Sequence, residues 1–482
     1  MKWEPVIGLE VHAQLKTKTK IFCACPTEFG QEPNEQVCPV CLGMPGVLPV
    51  LNKQAVQFAI RTGIALNSHI AEESRFDRKN YFYADLPKGY QISQFEKPIC
   101  VGGSVKVQDK TVRLQRAHLE EDAGKLVHAG AAGLHGSDYS LADFNRSGTP
   151  LLEIVSEPDI SSPEEARLYL TELRNILRYI DVCDGNLEEG SFRCDANVSL
   201  REKGTTTLGT RAEIKNMNSF RAVERAIQSE IERQAAVLDA GEKVKQETRL
   251  WNEGDGKTHP MRSKEESHDY RYFPEPDLMP LVVSREWVAE VAKTLPELPE
   301  QRRRRYTEEH ALSAEDAGII AESKEMADLF DSALKLAAPA KAAANYLIGP
   351  TNFYLKENKL ELSATKLTAQ NIKDLCQAVE SGQLGSTKAK ELLTELLSQG
   401  GNVAAIIESK GLAQVSDVGA IKESVRAVLS ENETQLNDYK AGKTKVRQFF
   451  FGKIMAANKG KANPQVVNAL LDELLPPVES PQ

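Results

Sequence analysis

Leu295-Pro296-Glu297-Leu298-Pro299-Glu300 separates two stretches of very different composition. Proline fixes φ and offers no backbone donor, so two prolines this close punctuate the chain. Before them, short β-branched and aromatic runs alternate with Gly, Pro, Asn and Asp, as in Val101-Gly102-Gly103-Ser104-Val105-Lys106-Val107 and Val198-Ser199-Leu200-Arg201. That pattern predicts a sheet-based domain over residues 1–294. Two helices are expected within it: one opened by Pro163-Glu164-Glu165 and running to about Ile180, the other capped by Ser219 and running to about Leu238. Gly102-Gly103-Ser104 is read as a hairpin turn. After the prolines, from Arg302 onward, Ala, Leu, Glu and Lys recur at helical spacing. A helical domain is expected over 295–405. Gly400-Gly401-Asn402 marks a further break, and residues 406–482 are expected to form a small helical tail domain. The fold class is α+β.

Composition removes several function classes. With 41% apolar and 27% charged residues, the 482-residue chain has the balance of a globular protein of two to four domains. No stretch approaches the roughly 20 uninterrupted apolar residues of a membrane span, and the most apolar one, Leu334 to Gly349, is broken by Pro339 and Lys341. Met1-Lys2-Trp3-Glu4-Pro5 opens no apolar run of signal-peptide length, so a cytoplasmic location without membrane partners is expected. A formal charge of −9 argues against a surface coated with phosphate-binding residues, so any RNA contact must be local.

Eight cysteines are too few for a disulfide scaffold in a chain of this length. Cys23-Ala24-Cys25 and Cys38-Pro39-Val40-Cys41 are short-spaced pairs, the arrangement that lets four thiolates converge on one Zn²⁺. With all four positions filled by sulfur such a zinc is structural, because a catalytic zinc keeps an open position. The competing reading is free thiols. Cys100, Cys183, Cys194 and Cys376 lack partner spacing and are read as packing residues.

In Val6-Ile7-Gly8-Leu9-Glu10-Val11-His12 the two-residue period of a strand puts Glu10 and His12 on one face, able to share a ligand. A solvent-facing strand edge reads equally well from this segment alone. His118-Leu119-Glu120-Glu121-Asp122 gathers three acids that repel one another and normally sit in water. Asp195 and Glu213 are flanked by Asn and basic residues, a mixture that suits Mg²⁺, or secondly Mn²⁺, on oxygen ligands while Arg or Lys meets phosphate. There is no Walker loop and no kinase catalytic-loop set, so any nucleotide must bind in another mode.

Seven segments taken in order carry a family resemblance. They are Val6 to His12, Arg78-Lys79-Asn80-Tyr81-Phe82-Tyr83, His118 to Lys125, Asn145-Arg146-Ser147-Gly148-Thr149-Pro150 to Val155, Arg193-Cys194-Asp195-Ala196-Asn197, Glu213-Ile214-Lys215-Asn216, and Met261 to Asp277. The chain resembles, over its whole length, the B-subunit family of heterotrimeric tRNA-dependent amidotransferases. The resemblance implies a cradle-shaped kinase domain, with the amidase (A) and small (C) subunits of the same heterotrimer as partners, and Glu-tRNA(Gln) or Asp-tRNA(Asn) as substrate. It also implies ATP-dependent phosphorylation of the aminoacyl carboxylate and ammonia delivered through a channel. Glu10, His12, Glu120, Glu121, Asp195 and Glu213 match the family's metal-binding pattern, with Mg²⁺ expected on Glu10, His12, Glu121, Asp195 and Glu213. Arg193 and Lys215, placed beside two of these, are read as phosphate partners. Lys79, Asn80, Tyr81 and Tyr83 suit a channel mouth or substrate positioning, although either tyrosine alone could be core. Asp269 to Asp277 could equally be a rigid proline-rich loop.

From Lys440 to Leu471 the basic residues Lys440, Lys443, Lys445, Arg447, Lys453, Lys459 and Lys461 form a local asymmetry in an acidic chain. They are expected to meet tRNA phosphates, the alternative being a solvated helix face. Phe449 to Phe451 are read as core. Arg302-Arg303-Arg304-Arg305 is read as the exposed start of a helix. A non-catalytic RNA-binding adaptor with a structural zinc is the competing function, and in it the acidic clusters are surface.

Overall fold

The computed structural model describes residues 2–129, 139–261, 270–413, 418–458 and 462–475. The chain forms two compact units, Met1–Leu298 and Pro299–Gln482. The punctuating segment divides between them: Leu295 and Leu298 pack on the core of the first unit, and Pro299 opens a helix of the second, Pro299–Glu308.

Strand alternation builds the first unit. Its main sheet runs in the order Lys257–Pro260, Glu247–Asn252, Ala212–Lys215, Phe192–Glu202, Trp3–Gln14, Pro150–Ser156, Lys110–Glu121, Tyr90–Ser93, Asp77–Asn80, Phe273–Pro274. Neighbours are antiparallel except Ala212–Lys215 and Glu247–Asn252, which pair in parallel. In the central strand Trp3–Gln14, residues Ile7, Leu9, Val11 and Ala13 are buried in a core they share with Leu152, Ile154, Ala196 and Val198. Helices Lys53–Ala65, Pro163–Tyr179 and Phe220–Asp239 supply that core with Ile60, Leu170, Leu173, Val223 and Ile227. The two predicted helices begin where expected: Pro163 opens the first, with Ser162 accepting from the Glu165 amide, and Ser219 caps the second, accepting from the Ala222 amide. Polar residues of the same strands are left on the opposite face.

Gly102-Gly103 does not turn a hairpin. Cys100–Val101 and Ser104–Val107 pair with the same strand, Lys110–Glu121, so the glycines offset one ribbon, and the reversal comes at Gln108-Asp109. At Gly103, with φ +117°, a Cβ would lie 2.7 Å from the Leu66 carbonyl oxygen, an approach only glycine tolerates.

The named elements of the second unit's described residues are all helices. Val418–Glu431, Val446–Ala457 and Pro464–Leu474 share a core of Ile421, Val425, Phe450, Ile454, Val467 and Leu471, with Phe451 packed against it. The arginine run does start a helix, but only Arg304 of it is exposed. Arg302 is buried and reaches Asp328 at 2.5 Å, and Arg305 reaches Asp331 at 2.9 Å. One face of Pro299–Glu308 is thereby tied to Lys324–Lys335, because residues three apart share a helix face. Among the described residues no helix is long and apolar enough to cross a membrane.

Candidate active site

The polar face of the first unit's sheet gathers ionisable groups in rows. Strand register sets His118 opposite Glu153, Glu153 opposite His12, and His12 opposite Arg193. One step along, Glu10 faces Asp195, and the next strand brings Glu213 opposite Asn197. His12 Nε2 lies 3.5 Å from Glu153 Oε2 and 3.6 Å from Glu120 Oε1, and His118 Nε2 is 3.3 Å from Glu153 Oε2. Ligand atoms of His12, Glu120 and Glu153 fall within 4.8 Å of one another, close enough to hold one metal ion. Beside them Asn197 donates to Glu10 at 2.8 Å, Thr248 donates to Glu213 at 2.8 Å, and the Lys215 ammonium bonds both Asp195 and Glu213.

The crowding is electrostatically expensive. Burial, and then Glu153, Glu213 and Asp195, push the Glu10 carboxyl above its usual range. For His12, burial opposes charge, but Glu153 and then Glu120 and Asp195 outweigh it and lift the imidazolium to about 9. Glu153 stays far below the carboxylate range despite burial, because His118 and His12 flank it. Lys215 remains protonated against its burial through Asp195 and Glu213. Several carboxylates crowded around two imidazoles form a donor set that a hard divalent cation relieves.

Of the residues expected from the sequence, Glu10, His12, Glu120, Asp195, Glu213 and Lys215 lie together on this face. Glu121 does not join them. It ends the strand one residue after Glu120, points to the other side and takes hydrogen bonds from Lys88 and from the Ile92 amide. Asp122, two residues on from Glu120, returns to the polar face at its edge, accepting from Gln14 and Arg193 at 2.8 Å each. Its carboxyl is lowered against burial by Arg193 and Arg146. The three adjacent acids are therefore all buried, each compensated separately rather than sitting in water, and Arg193 is already engaged by Asp122. Glu153 and His118 are site residues that the sequence reading misses. A lone acid in the apolar run Pro150-Leu151-Leu152-Glu153-Ile154-Val155 is the available signal for Glu153.

Lys79 lies between the carboxylates and an aromatic group, 5.0 Å from the Tyr270 ring centre and 5.9 Å from that of Tyr81. Its charge is held against burial by Glu120, Tyr272 and Glu153. Asn80 donates to the Arg271 carbonyl at 2.8 Å. Tyr81 packs edge-on against Tyr270, while the Tyr83 side chain is half exposed. Much of the Met261 to Asp277 segment, residues 262–269, lies outside the described residues. Within the rest, Arg78 grips Glu275 with two hydrogen bonds of 2.7 and 2.8 Å.

Two cavities adjoin these groups. One of about 550 Å³ borders Glu10 and is lined by Val6, Leu9, Val155, Pro158, Asn197 and Ser199 among others. A smaller one of about 120 Å³ lies between Cys41 and Glu121, with Lys20, Lys88, Tyr90 and Asp277 in its walls.

Cys23, Cys25, Cys38 and Cys41 converge, their sulfurs within 4.8 Å of one another, and the Cys38 and Cys41 sulfurs are 4.0 Å apart. A tetrahedral Zn²⁺ with Zn–S bonds of about 2.3 Å needs sulfurs about 3.8 Å apart, so the cluster fits a metal such as zinc. The Cys23 thiol's hydrogen bond draws Cys41 down to about 4 against burial, helped by the Cys38 amide and Lys20. Cys100, Cys183, Cys194 and Cys376 are buried packing residues.

In the basic tail, Arg447 is committed to Asp472 at 2.6 Å and Lys443 to Asp438 at 3.0 Å. Lys453 lies over the Phe449 ring, Lys440 ends the helix Glu433–Lys440, and Lys445 precedes Val446–Ala457. Lys459 and Lys461 lie outside the described residues.

A carboxylate-rich sheet face carrying the half-buried Lys79 and Lys215 is the site of a catalytic domain, and comparison with known proteins gives the family. Residues 5–289 match the family model described as the GatB/GatE catalytic domain and residues 328–475 the one described as the GatB domain. The B subunit of the aspartyl/glutamyl-tRNA(Asn/Gln) amidotransferase of Geobacter sulfurreducens is 54% identical over 98% of this chain and 99% of its own. That of Thermodesulfovibrio yellowstonii is 50% identical over 98% and 100%, and that of Persephonella marina 51% over 98% and 100%. The chain belongs to the family of aspartyl/glutamyl-tRNA(Asn/Gln) amidotransferase B subunits.

Proposed function

We propose that this chain binds Glu-tRNA(Gln) or Asp-tRNA(Asn), activates the side-chain carboxylate of the attached amino acid with ATP, and passes it to ammonia. The observation that carries the reading is the row His118, Glu153, His12 with Glu120, one step from Glu10 and Asp195. A carboxylate is a poor acceptor for ammonia. Its oxygen must first take the γ-phosphoryl group, releasing ADP, so that phosphate can leave when ammonia's nitrogen attacks the acyl carbon.

His12, Glu120 and Glu153 would hold Mg²⁺ or Mn²⁺, with Glu10, Asp195 and Glu213 as further oxygen donors. A divalent cation bound there supplies the charge neutralisation that phosphoryl transfer needs. Lys215, charged and already bridging two carboxylates, is placed to exchange one of them for a phosphate oxygen. The cavity beside Glu10 mixes apolar strand residues with amide and hydroxyl groups, the lining a nucleoside needs. Lys79 with Tyr81 and Tyr270, and the acid and amine walls of the smaller cavity, suit the passage of a small polar nucleophile out of bulk water. Glu121 and Lys88 belong to that second set. Tyr83, exposed, suits the mouth of such a route or substrate positioning, and Asn80 holds the backbone beside it. The four cysteines hold zinc as a structural ion. The tail's Lys440, Lys445, Lys459 and Lys461 meet tRNA phosphates, with Lys443 and Arg447 contributing less because each has an acid partner.

The names of the relatives carry both tRNA specificities, and ammonia supply requires separate amidase and small subunits. The test is to purify the chain with those two partners and measure ATP-dependent conversion of Glu-tRNA(Gln) and of Asp-tRNA(Asn). Formation of neither amide overturns the reading.

A further inference from the structure

Lys20 is fully buried, its side chain shut off from solvent. Its Nζ donates to the Gln36 carbonyl at 2.7 Å and the Phe144 carbonyl at 3.2 Å, and lies 3.5 Å from Cys41 Sγ. Among the described residues no carboxylate forms an ion pair with it. Removing an ammonium from water without a counter-charge is strongly unfavourable, and two carbonyl dipoles do not replace an anion. Among the described residues the sulfur of Cys41 is the one group bonded to Nζ that can carry full negative charge. Four thiolates around a divalent ion leave a net charge of −2, so the cluster has an excess that a buried ammonium offsets.

We propose that Lys20 is a positioning residue of the metal site: it donates an N–H···S hydrogen bond to Cys41 and neutralises part of the tetrathiolate's charge. The Cys38 amide adds a second N–H···S contact to the same sulfur at 3.2 Å. The lysine also links the metal cluster to the sheet. The next residue, Ile21, donates its amide to the Gly148 carbonyl at 2.9 Å, and the Ser147 hydroxyl donates to the Cys41 carbonyl at 3.4 Å. That turn feeds directly into Pro150–Ser156, the strand that carries Glu153. Metal, lysine and turn form one unit, and loss of the metal strands a buried cation beneath the strand.

This inference rests on the cysteines holding zinc, and the experiment separates the two. The full chain is purified with zinc, its metal content measured, and the rate of zinc transfer to a chromophoric chelator followed for the natural protein, Lys20→Gln and Lys20→Arg. Gln keeps a donor for the carbonyls without charge, and Arg keeps the charge. Lys20→Gln releases zinc about 10–100-fold faster, the usual effect of losing a partner that supports a ligand, with Lys20→Arg between the two. The Co²⁺-substituted proteins all keep the intense visible bands of a tetrahedral thiolate site. A natural protein that binds no zinc defeats the metal reading itself. One zinc per chain with Lys20→Gln releasing it within about twofold of the natural rate, well short of the loss expected for a supporting partner, overturns the role of Lys20. If Lys20→Gln does not fold, amine labelling of the natural protein decides: Lys20 is protected with zinc bound and reactive after chelation, and equal reactivity overturns the proposal.

Discussion

Glu120 and Glu121, adjacent in the chain and both buried, serve opposite sides of one strand: Glu120 approaches His12 at 3.6 Å, and Glu121 bonds Lys88. Strand alternation alone separates them. Two acids that look like one cluster in the sequence therefore answer to different substitutions.

Glu121→Gln should lower stability by about 3–5 kcal/mol, because it strands the buried Lys88 ammonium. Adding Lys88→Met should recover most of the loss. Urea titration of the single and double variants checks this, and equal stability of the two would show that the pair is not compensating.

Glu10→Gln should do the reverse in the absence of metal. Glu10 is crowded by burial and by Glu153, Glu213 and Asp195, so its neutral isostere should raise the melting temperature by about 2–4 °C, the response to about 1 kcal/mol in a large domain. The same variant should lose most of the stabilisation that Mg²⁺ gives the natural chain. Melting curves with and without the ion test both halves.

Mg²⁺ affinity should rise with pH. His12 holds its proton up to about 9, and a cation at this row has to displace it. Below that value affinity should climb about tenfold per pH unit, the slope for release of one proton, and above it the curve should flatten. Calorimetric titrations across this pH range with equal affinities would remove His12 from the ligand set.

In the tail, Lys440→Gln with Lys445→Gln should weaken tRNA binding and reduce the slope of log affinity against log salt by up to about 2. Arg447→Gln should act mainly on stability, since its guanidinium is held by Asp472. Filter binding over a salt series distinguishes the two, and an unchanged slope in the double variant would make these lysines a solvated helix face.

Local patterns carry the architecture because they are local. The prolines at 296 and 299, the helix opening at Pro163-Glu164-Glu165, the cap at Ser219, and the alternation around Glu10 and His12 each depend on a few consecutive residues. Glu153 stays hidden because its meeting with His12 depends on register between strands far apart in sequence. Glu121 lies apart from Glu120 for a simpler reason: the two-residue period, applied from His118, already turns it to the other side of the strand. The arginines at 302 and 305 read as exposed because charge clusters usually are. Their acids, Asp328 and Asp331, come from another helix, and no spacing within 302–305 announces them.

One divalent cation is expected to sit among His12, Glu120 and Glu153. Anomalous diffraction from crystals soaked in Mn²⁺ addresses it directly. A single strong peak within bonding distance of those three side chains, lost in Glu153→Gln, is the predicted result. A manganese peak elsewhere with this row left empty would contradict it.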